Sequence, residues 1–212
     1  MDFVRAIKFP LDDENWITKV VVGTLLNLIP IFGLGYTVGV ARNVIQGKAR
    51  PLPGTEDLGQ VITDGIMATI AGIVYALPAL LVGCVIGIFS SIVGDSDAGG
   101  LMVACLGMFV SLASLIYAIP ATAMFWMGVM RYTESGNFSD FVQFGSLLRD
   151  VRKHVGVLVM LLLYVLAVGL LAALVSPLLI VTCVGILVLG FWVQVAYGHL
   201  IGQAALEIEQ GR

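Results

Sequence analysis

Four stretches of this chain contain no Asp, Glu, Lys or Arg: residues 20–41, 65–94, 98–130 and 154–206. They are 22, 30, 33 and 53 residues long, and a helix needs about 20 apolar residues to cross about 30 Å of hydrocarbon. The stretches therefore hold one, one, one and two candidate segments, the last dividing at Ser176-Pro177. In lipid a helix satisfies its own backbone groups, whereas barrel strands would read as short alternating segments. The expectation is an all-α helical integral membrane bundle of about five hydrophobic segments, forming one domain over 1–212. Composition agrees: 59% of residues are hydrophobic and 12% charged, with a mean hydropathy of +1.01. Soluble domains average about 45–50% apolar and about 25% charged.

Phe3, Val4 and Ile7 at helical spacing, with Arg5 and Lys8 opposite, predict an interfacial helix that Pro10 ends. Trp16 suits the headgroup level. The first segment, residues 16–41, is interrupted by Pro30, Gly33 and Gly35. Each half is too short to span alone, so the segment reads as two short helices around an irregular turn at 30–35, either re-entrant or kinked. In the polar stretch 42–64, Thr55 is placed to cap the next helix, with Glu56 and Asp57 in its first turn. Residues 66–93 and 101–130 are the second and third segments, joined by the polar turn 94–100. Residues 134–153 read as a second amphipathic interfacial helix, capped by Ser139, with Phe141, Val142, Phe144, Leu148 and Val151 on its apolar side. Residues 155–175 and 177–200 form a closing hairpin.

A weak internal repeat relates about 16–93 to 101–175, followed by the final helix 177–200. Gly39-Val40-Ala41-Arg42 with Gly47 matches Gly128-Val129-Met130-Arg131 with Gly136, and Ile29-Pro30 matches Ile119-Pro120. Loops 42–64 and 131–153 carry seven Lys and Arg, against none in the other two turns. The positive-inside rule places those loops and the C-terminus in the cytoplasm. A re-entrant first segment gathers all 11 basic residues on that side; a spanning one leaves Arg5, Lys8 and Lys19 outside.

No Asp, Glu, Lys or Arg lies within a hydrophobic run, which counts against a proton-coupled carrier and an intramembrane aspartyl protease. There is no nucleophile elbow, phosphate loop or dinucleotide fingerprint, and no basic aromatic patch for nucleic acid. Four polar residues merit weighing. Asp64 stands where the second segment enters the membrane, as a ligand contact or as a carboxylate beside an arginine. Asn27 lies in the broken segment, as a coordinating group or an interhelical hydrogen-bonder. His154 and His199 are each 22 residues from the Ser176-Pro177 turn, which puts them at one depth; the haem- or metal-ligand reading gives way to ordinary interfacial histidines. No cofactor or metal is expected. Cys84, Cys105 and Cys183 read as small buried hydrophobes. Small residues four apart (Gly35/Gly39, Ala68/Gly72, Gly83/Gly87, Gly198/Gly202) predict close helix packing and a compact bundle.

Trp16, Gly35-Tyr36, Arg42 with Gly47, Leu52-Pro53, Asp64-Gly65, Arg131-Tyr132 with Gly136, Cys183-x-Gly185 and His199-Leu200-Ile201-Gly202-Gln203 together resemble the membrane family known as domain of unknown function 4013. The likeness covers nearly the whole chain. It implies a small multi-pass membrane protein and assigns no activity, substrate or binding residue. The leading expectation is a non-enzymatic component of the cell membrane: structural, lipid-contacting or an accessory subunit. The alternative is a small transporter or channel for an uncharged or lipidic substrate. The expected partners are membrane lipids, with other membrane proteins or further copies of the chain as candidates.

Overall fold

The computed structural model describes residues 1–93, 97–182 and 184–211, and the described residues contain helices and no strand. In chain order the helices are α1 (Phe3–Lys8), α2 (Trp16–Leu26), α3 (Pro30–Ile45), α4 (Leu58–Val93), α5 (Asp97–Ser135), α6 (Ser139–Val142), α7 (Phe144–Lys153), α8 (Val155–Leu179) and α9 (Val184–Gln210). Four helical stretches are long and apolar enough to cross a membrane: Thr55–Val93, Gly99–Ser135, Val155–Thr182 and Val184–Gln210. The chain is an all-α membrane protein.

The first segment is two helices, as expected, but the break falls earlier than 30–35. Asn27 closes α2, donating its N–H to the Gly23 carbonyl, and Pro30 opens α3. Proline suits the first helical position, where an N–H would lack an intrahelical partner anyway. Gly33 and Gly35 lie within α3. Gly35 is required there because any Cβ would collide with the Val61 carbonyl of α4. The two ends of this hairpin lie on one face. Lys19 near the start of α2 donates to the Leu52 carbonyl at 3.1 Å, and Asn43 near the end of α3 donates to the Pro51 carbonyl at 2.9 Å. The segment is thus a helical hairpin.

α3 is the central element. It lies antiparallel to α4, with Gly35 against Val61 and Gly65 against Ile31, and parallel to α9, with Gly198 against Thr37 and Gly202 against Ala41 and Val44. The α4–α5 and α8–α9 hairpins are joined chiefly through it. Gly35, Gly39, Gly198 and Gly202 thus serve the close packing expected of them. Gly72, Gly83 and Gly87 do not: a Cβ at each would meet nothing within 4 Å. Beyond α3, α4 and α5 pack mainly on each other and present their other faces outward. For the same reason Cys84 and Cys105 are exposed rather than buried; Cys183 and residues 94–96 of the expected turn lie outside the described residues. The bundle is closed at the end where the charged residues gather and open at the other.

The hairpins are also staggered. From Gly65, α4 continues for about 42 Å to Val93, whereas from Gly198, α9 reaches back about 21 Å to Val184. Measured along the helices from their contacts with α3, the α4–α5 hairpin extends about 30 Å farther than the α8–α9 hairpin.

The proline near the end of α8 is compensated. Pro177 does not turn the chain: α8 runs through it to Leu179, and the turn is a 3-10 segment at Ile180–Thr182. Proline strips the hydrogen bond from the carbonyl four residues back, here Ala173, and the Ser176 hydroxyl donates to that carbonyl at 2.9 Å. In α4 the carbonyl that Pro78 deprives is that of Val74, and Tyr117 of α5 donates to the neighbouring Tyr75 carbonyl at 2.9 Å.

Three smaller expectations shift. Gly54 rather than Thr55 precedes the helical turn before α4, its N–H held by the Asp57 carboxylate at 3.2 Å. Ser139 is the first residue of α6 and no cap. The expected helix 134–153 is broken at Gln143 (φ −79°, ψ 61°). That break rotates the second half, so Leu147 and Val151 are buried while Phe144 and Leu148 face outward. In α1, Ala6 is the buried residue and Val4 is exposed, because the helix packs on α9 instead of lying free on the surface.

Candidate functional site

The most buried acidic side chain is Asp64 of α4, with no exposed surface. Arg42, near the end of α3, grips it with two prongs: Nη2 donates to Oδ1 at 2.9 Å and Nη1 donates to Oδ2. Gln60 Nε2 and the Tyr132 hydroxyl of α5 also donate to Oδ1, at 2.9 and 3.0 Å. Arg42 Nε reaches the Thr133 carbonyl at 3.4 Å, and the guanidinium lies 5.8 Å over the Tyr132 ring. A two-pronged arginine–carboxylate pair with the remaining lone pairs satisfied is the arrangement that tolerates burial. Asp64 is therefore a knot tying α3, α4 and α5, beside an arginine, and its oxygens are occupied.

Arg131, matched to Arg42 in the sequence, is built alike. Each arginine precedes a glycine in the left-handed backbone region, Gly47 at φ +66° and Gly136 at φ +72°. Each pairs with an aspartate on a later helix, Arg131 with Asp150 of α7 while also donating to Ser146 Oγ at 2.8 Å. A third pair, Lys19 with Asp13 at 2.7 Å, fastens α2 to the segment before it.

Asn27 lies at the tip of the α2–α3 hairpin. Its side-chain oxygen fills the space that a Cβ on Gly33 would take, and its amide nitrogen lies near Gly190 of α9. Gln194 of α9 approaches the same point. Its side-chain oxygen accepts from Thr37 Oγ1 at 3.0 Å. One turn before Asn27, Thr24 is 6% exposed, and its hydroxyl is buried with no partner. Val20, Gly23, Thr24 and Asn27 share the inner face of α2 by their spacing of three and four. Sequence reading singled out Asn27 but not Thr24, Thr37 or Gln194. The 20/23/24/27 spacing was the available signal.

The histidines do not pair. Because the turn is at Ile180–Thr182, Tyr197 of α9 lies against Gly169 of α8. Counted from that turn, His199 is 17 residues on and His154 is 26 back, so His154 stands about 14 Å farther along the hairpin. His199 is buried, stacked on Phe9 with ring centroids 4.5 Å apart, its Nδ1 2.9 Å from Gln203 Nε2. It floors an open cavity of about 720 Å³ between α1, α9 and residues 47–51, with Arg5, Lys48 and Glu207 on the walls. His154 occupies the corner between α7 and α8, its N–H bonded to the Asp150 carbonyl. Among the described residues no three His, Cys, Asp or Glu side chains are grouped to hold a metal.

A family model described as "Protein of unknown function (DUF4013)" matches residues 22–181. The chain belongs to the DUF4013 family. No curated protein and no solved structure matches it. The stretch matched to DUF4013 takes in Thr24, Asn27, the Arg42–Asp64–Tyr132 knot and the Arg131–Asp150 pair. It stops before α9, so Gln194 and His199 lie beyond it.

Proposed function

We propose that this DUF4013 protein is a non-enzymatic membrane component that works by contact, with lipid and with neighbouring membrane proteins. The observation that carries this reading is the uncovered apolar surface of α4 and α5 beyond α3. Ile73, Leu80, Val85, Ile88, Leu101 and Phe109 on that limb are each more than half exposed. The carboxylates of Asp64, Asp150 and Asp13 are meanwhile engaged in ion pairs, which leaves them poorly placed for acid–base chemistry. Extraction into polymer nanodiscs followed by native mass spectrometry tests it. A stoichiometric protein partner or retained lipid is expected; a purified protein that turns over a substrate would overturn it.

The second reading is a small transporter or channel for an uncharged or lipidic substrate, favoured by the broken first segment. Flux into reconstituted liposomes separates the two. We further infer that the charged end faces the cytoplasm of the cell membrane, with the C-terminus on that side. The support is the excess of Lys and Arg there. Tags at the two termini should be protected together in right-side-out vesicles, and exposure of either one would contradict this orientation.

A further inference from the structure

We infer that α7 is a docking surface for the headgroups of anionic phospholipids. The inference rests on the membrane-contact reading proposed above and deepens it, by naming the class of lipid and the helix that selects it.

The neighbours of α7 set its level. Arg131, just past the charge-free run 98–130 of α5, pairs with Asp150 and donates to Ser146 Oγ at 2.8 Å. At its other end α7 stops at His154, and α8 begins with Val155 at the start of the charge-free run 154–206. α7 thus lies where two apolar runs end, which is the headgroup level of a bilayer. Its first residue, Phe144, meets Tyr75 inside the charge-free run of α4, with ring centroids 5.5 Å apart.

The helix presents its side chains in rows of residues four apart, each step turning about 40°. Leu147 and Val151 make the buried row. Beside it run Phe144 and Leu148, 46% and 36% exposed, and that row ends in Arg152. Arg149 and Lys153 form the next row. These three cations are exposed, and their side chains make no hydrogen bond or ion pair among the described residues. Lys19, Arg42, Arg50 and Arg131 each have a protein carboxylate; the three of α7 have none, because its one acid, Asp150, is engaged by Arg131.

Around α7 the order is therefore buried apolar, exposed apolar, basic, which is the order of a helix lying in a membrane interface. A soluble acidic partner would satisfy the cations and leave Phe144 and Leu148 in water. A zwitterionic headgroup layer would cover the apolar row and bring no net charge opposite three cations. Anionic phospholipid meets both requirements, its acyl chains against Phe144 and Leu148 and its phosphates against Arg149, Arg152 and Lys153.

The test uses the full-length protein with Gly145→Cys in a background lacking the native cysteines, labelled with bimane in phosphatidylcholine vesicles. Gly145 falls between Arg152 and Arg149 around the helix, and a Cβ there meets nothing within 4 Å. Quenching by phosphatidylglycerol brominated near the glycerol end of its chains is compared with quenching by phosphatidylcholine brominated alike, at equal mole fraction. Phosphatidylglycerol should be preferred by about 5-fold or more, the contribution of one cation at an anionic surface. Arg149→Gln, Arg152→Gln and Lys153→Gln should each reduce the preference, and the triple variant should remove it. Raising the salt from about 0.1 M to about 1 M should remove most of it in the unsubstituted helix, which keeps the test decisive if the triple variant fails to fold. Arg50→Gln, on the loop before α4 and paired with Glu14, should leave it unchanged. Equal quenching by the two lipids would overturn the choice of anionic lipid and leave the contact reading standing. Quenching by neither would place α7 in water and overturn its docking altogether. A preference that persists in the folded triple variant would belong to other cations and overturn the role of α7.

Discussion

Arg42 and Asp64 face each other across the α3–α4 contact in a two-pronged pair, the carboxylate fully buried and the arginine side chain 15% exposed. Breaking such a pair strands one buried charge, which costs more than the pair contributes relative to apolar replacements. Asp64→Leu should lower stability by about 3–5 kcal/mol, and Arg42→Leu should act similarly. The double variant Arg42→Leu/Asp64→Leu should recover much of the loss. Unfolding in detergent measures all three. Equal losses in the single and double variants would mean that the pair is not what joins these helices.

The glycines divide into two classes with opposite expectations. Gly35→Ala and Gly65→Ala drive a methyl into the Val61 and Ile31 carbonyls, and overpacking costs about 1–3 kcal/mol. Gly83→Ala meets open space and should be neutral or stabilise the helix by up to about 1 kcal/mol. Thermal unfolding of the three side by side decides; an equal effect at Gly83 would show that its face is covered in the membrane.

Asp13 lies outside the spanning helices and gives a pH signature. Burial opposes its ionisation, yet the Lys19 hydrogen bond, the Asn15 N–H and the charges of Lys19 and Arg50 together hold its carboxyl below the ordinary value of 3.8. A folded-state value below the unfolded one means that the folded protein binds fewer protons. The contribution is therefore complete above the unfolded value and is lost as pH falls through the lower folded one. Wild type should lose stability below about pH 4 more steeply than Asp13→Asn. Superimposable acid-side curves would refute this.

The two hairpin ends should differ in their access to water. Asp95-Ser96-Asp97 is polar, whereas Leu178 to Val184 carries only Thr182 and Cys183 among apolar residues, on the hairpin that reaches less far. In a background lacking the native cysteines, a cysteine at Ser96 should react with an impermeant maleimide from the far side at least about ten times faster than one at Val181, since the thiolate must meet water to react. Equal rates would place both ends at the same interface.

The charge-free runs were enough to read the class, the number of apolar segments and the presence of a break near Pro30. They did not locate the break or the last turn. Proline was read as a terminator in both places, while its neighbours decide its role: at Pro30 it starts a helix, and at Pro177 the Ser176 hydroxyl repairs the lost bond. The histidine pairing failed for the same reason, because a turn moved by a few residues shifts every level along the hairpin. Asp64 beside an arginine was legible from its place at the membrane edge. Gln60 and Tyr132 were not, since nothing local in a sequence specifies which distant side chains share one carboxylate. Likewise the small-residue pattern is identical at Gly198/Gly202 and Gly83/Gly87, and only topology determines which pair meets a neighbour.

Thr37 touches Gln194 across 157 residues of chain. At a synthesis rate of about 5–20 residues per second, that separation is about 8–30 s. For most of that interval α3 has α4 to pack on but not α9, and Gly198 and Gly202 have yet to reach the surface they fit. The hairpin at the amino end of the protein is thus among the last parts to acquire its final neighbours. A nascent chain stalled before α9 would leave it open to whatever insertion factor or chaperone attends the membrane.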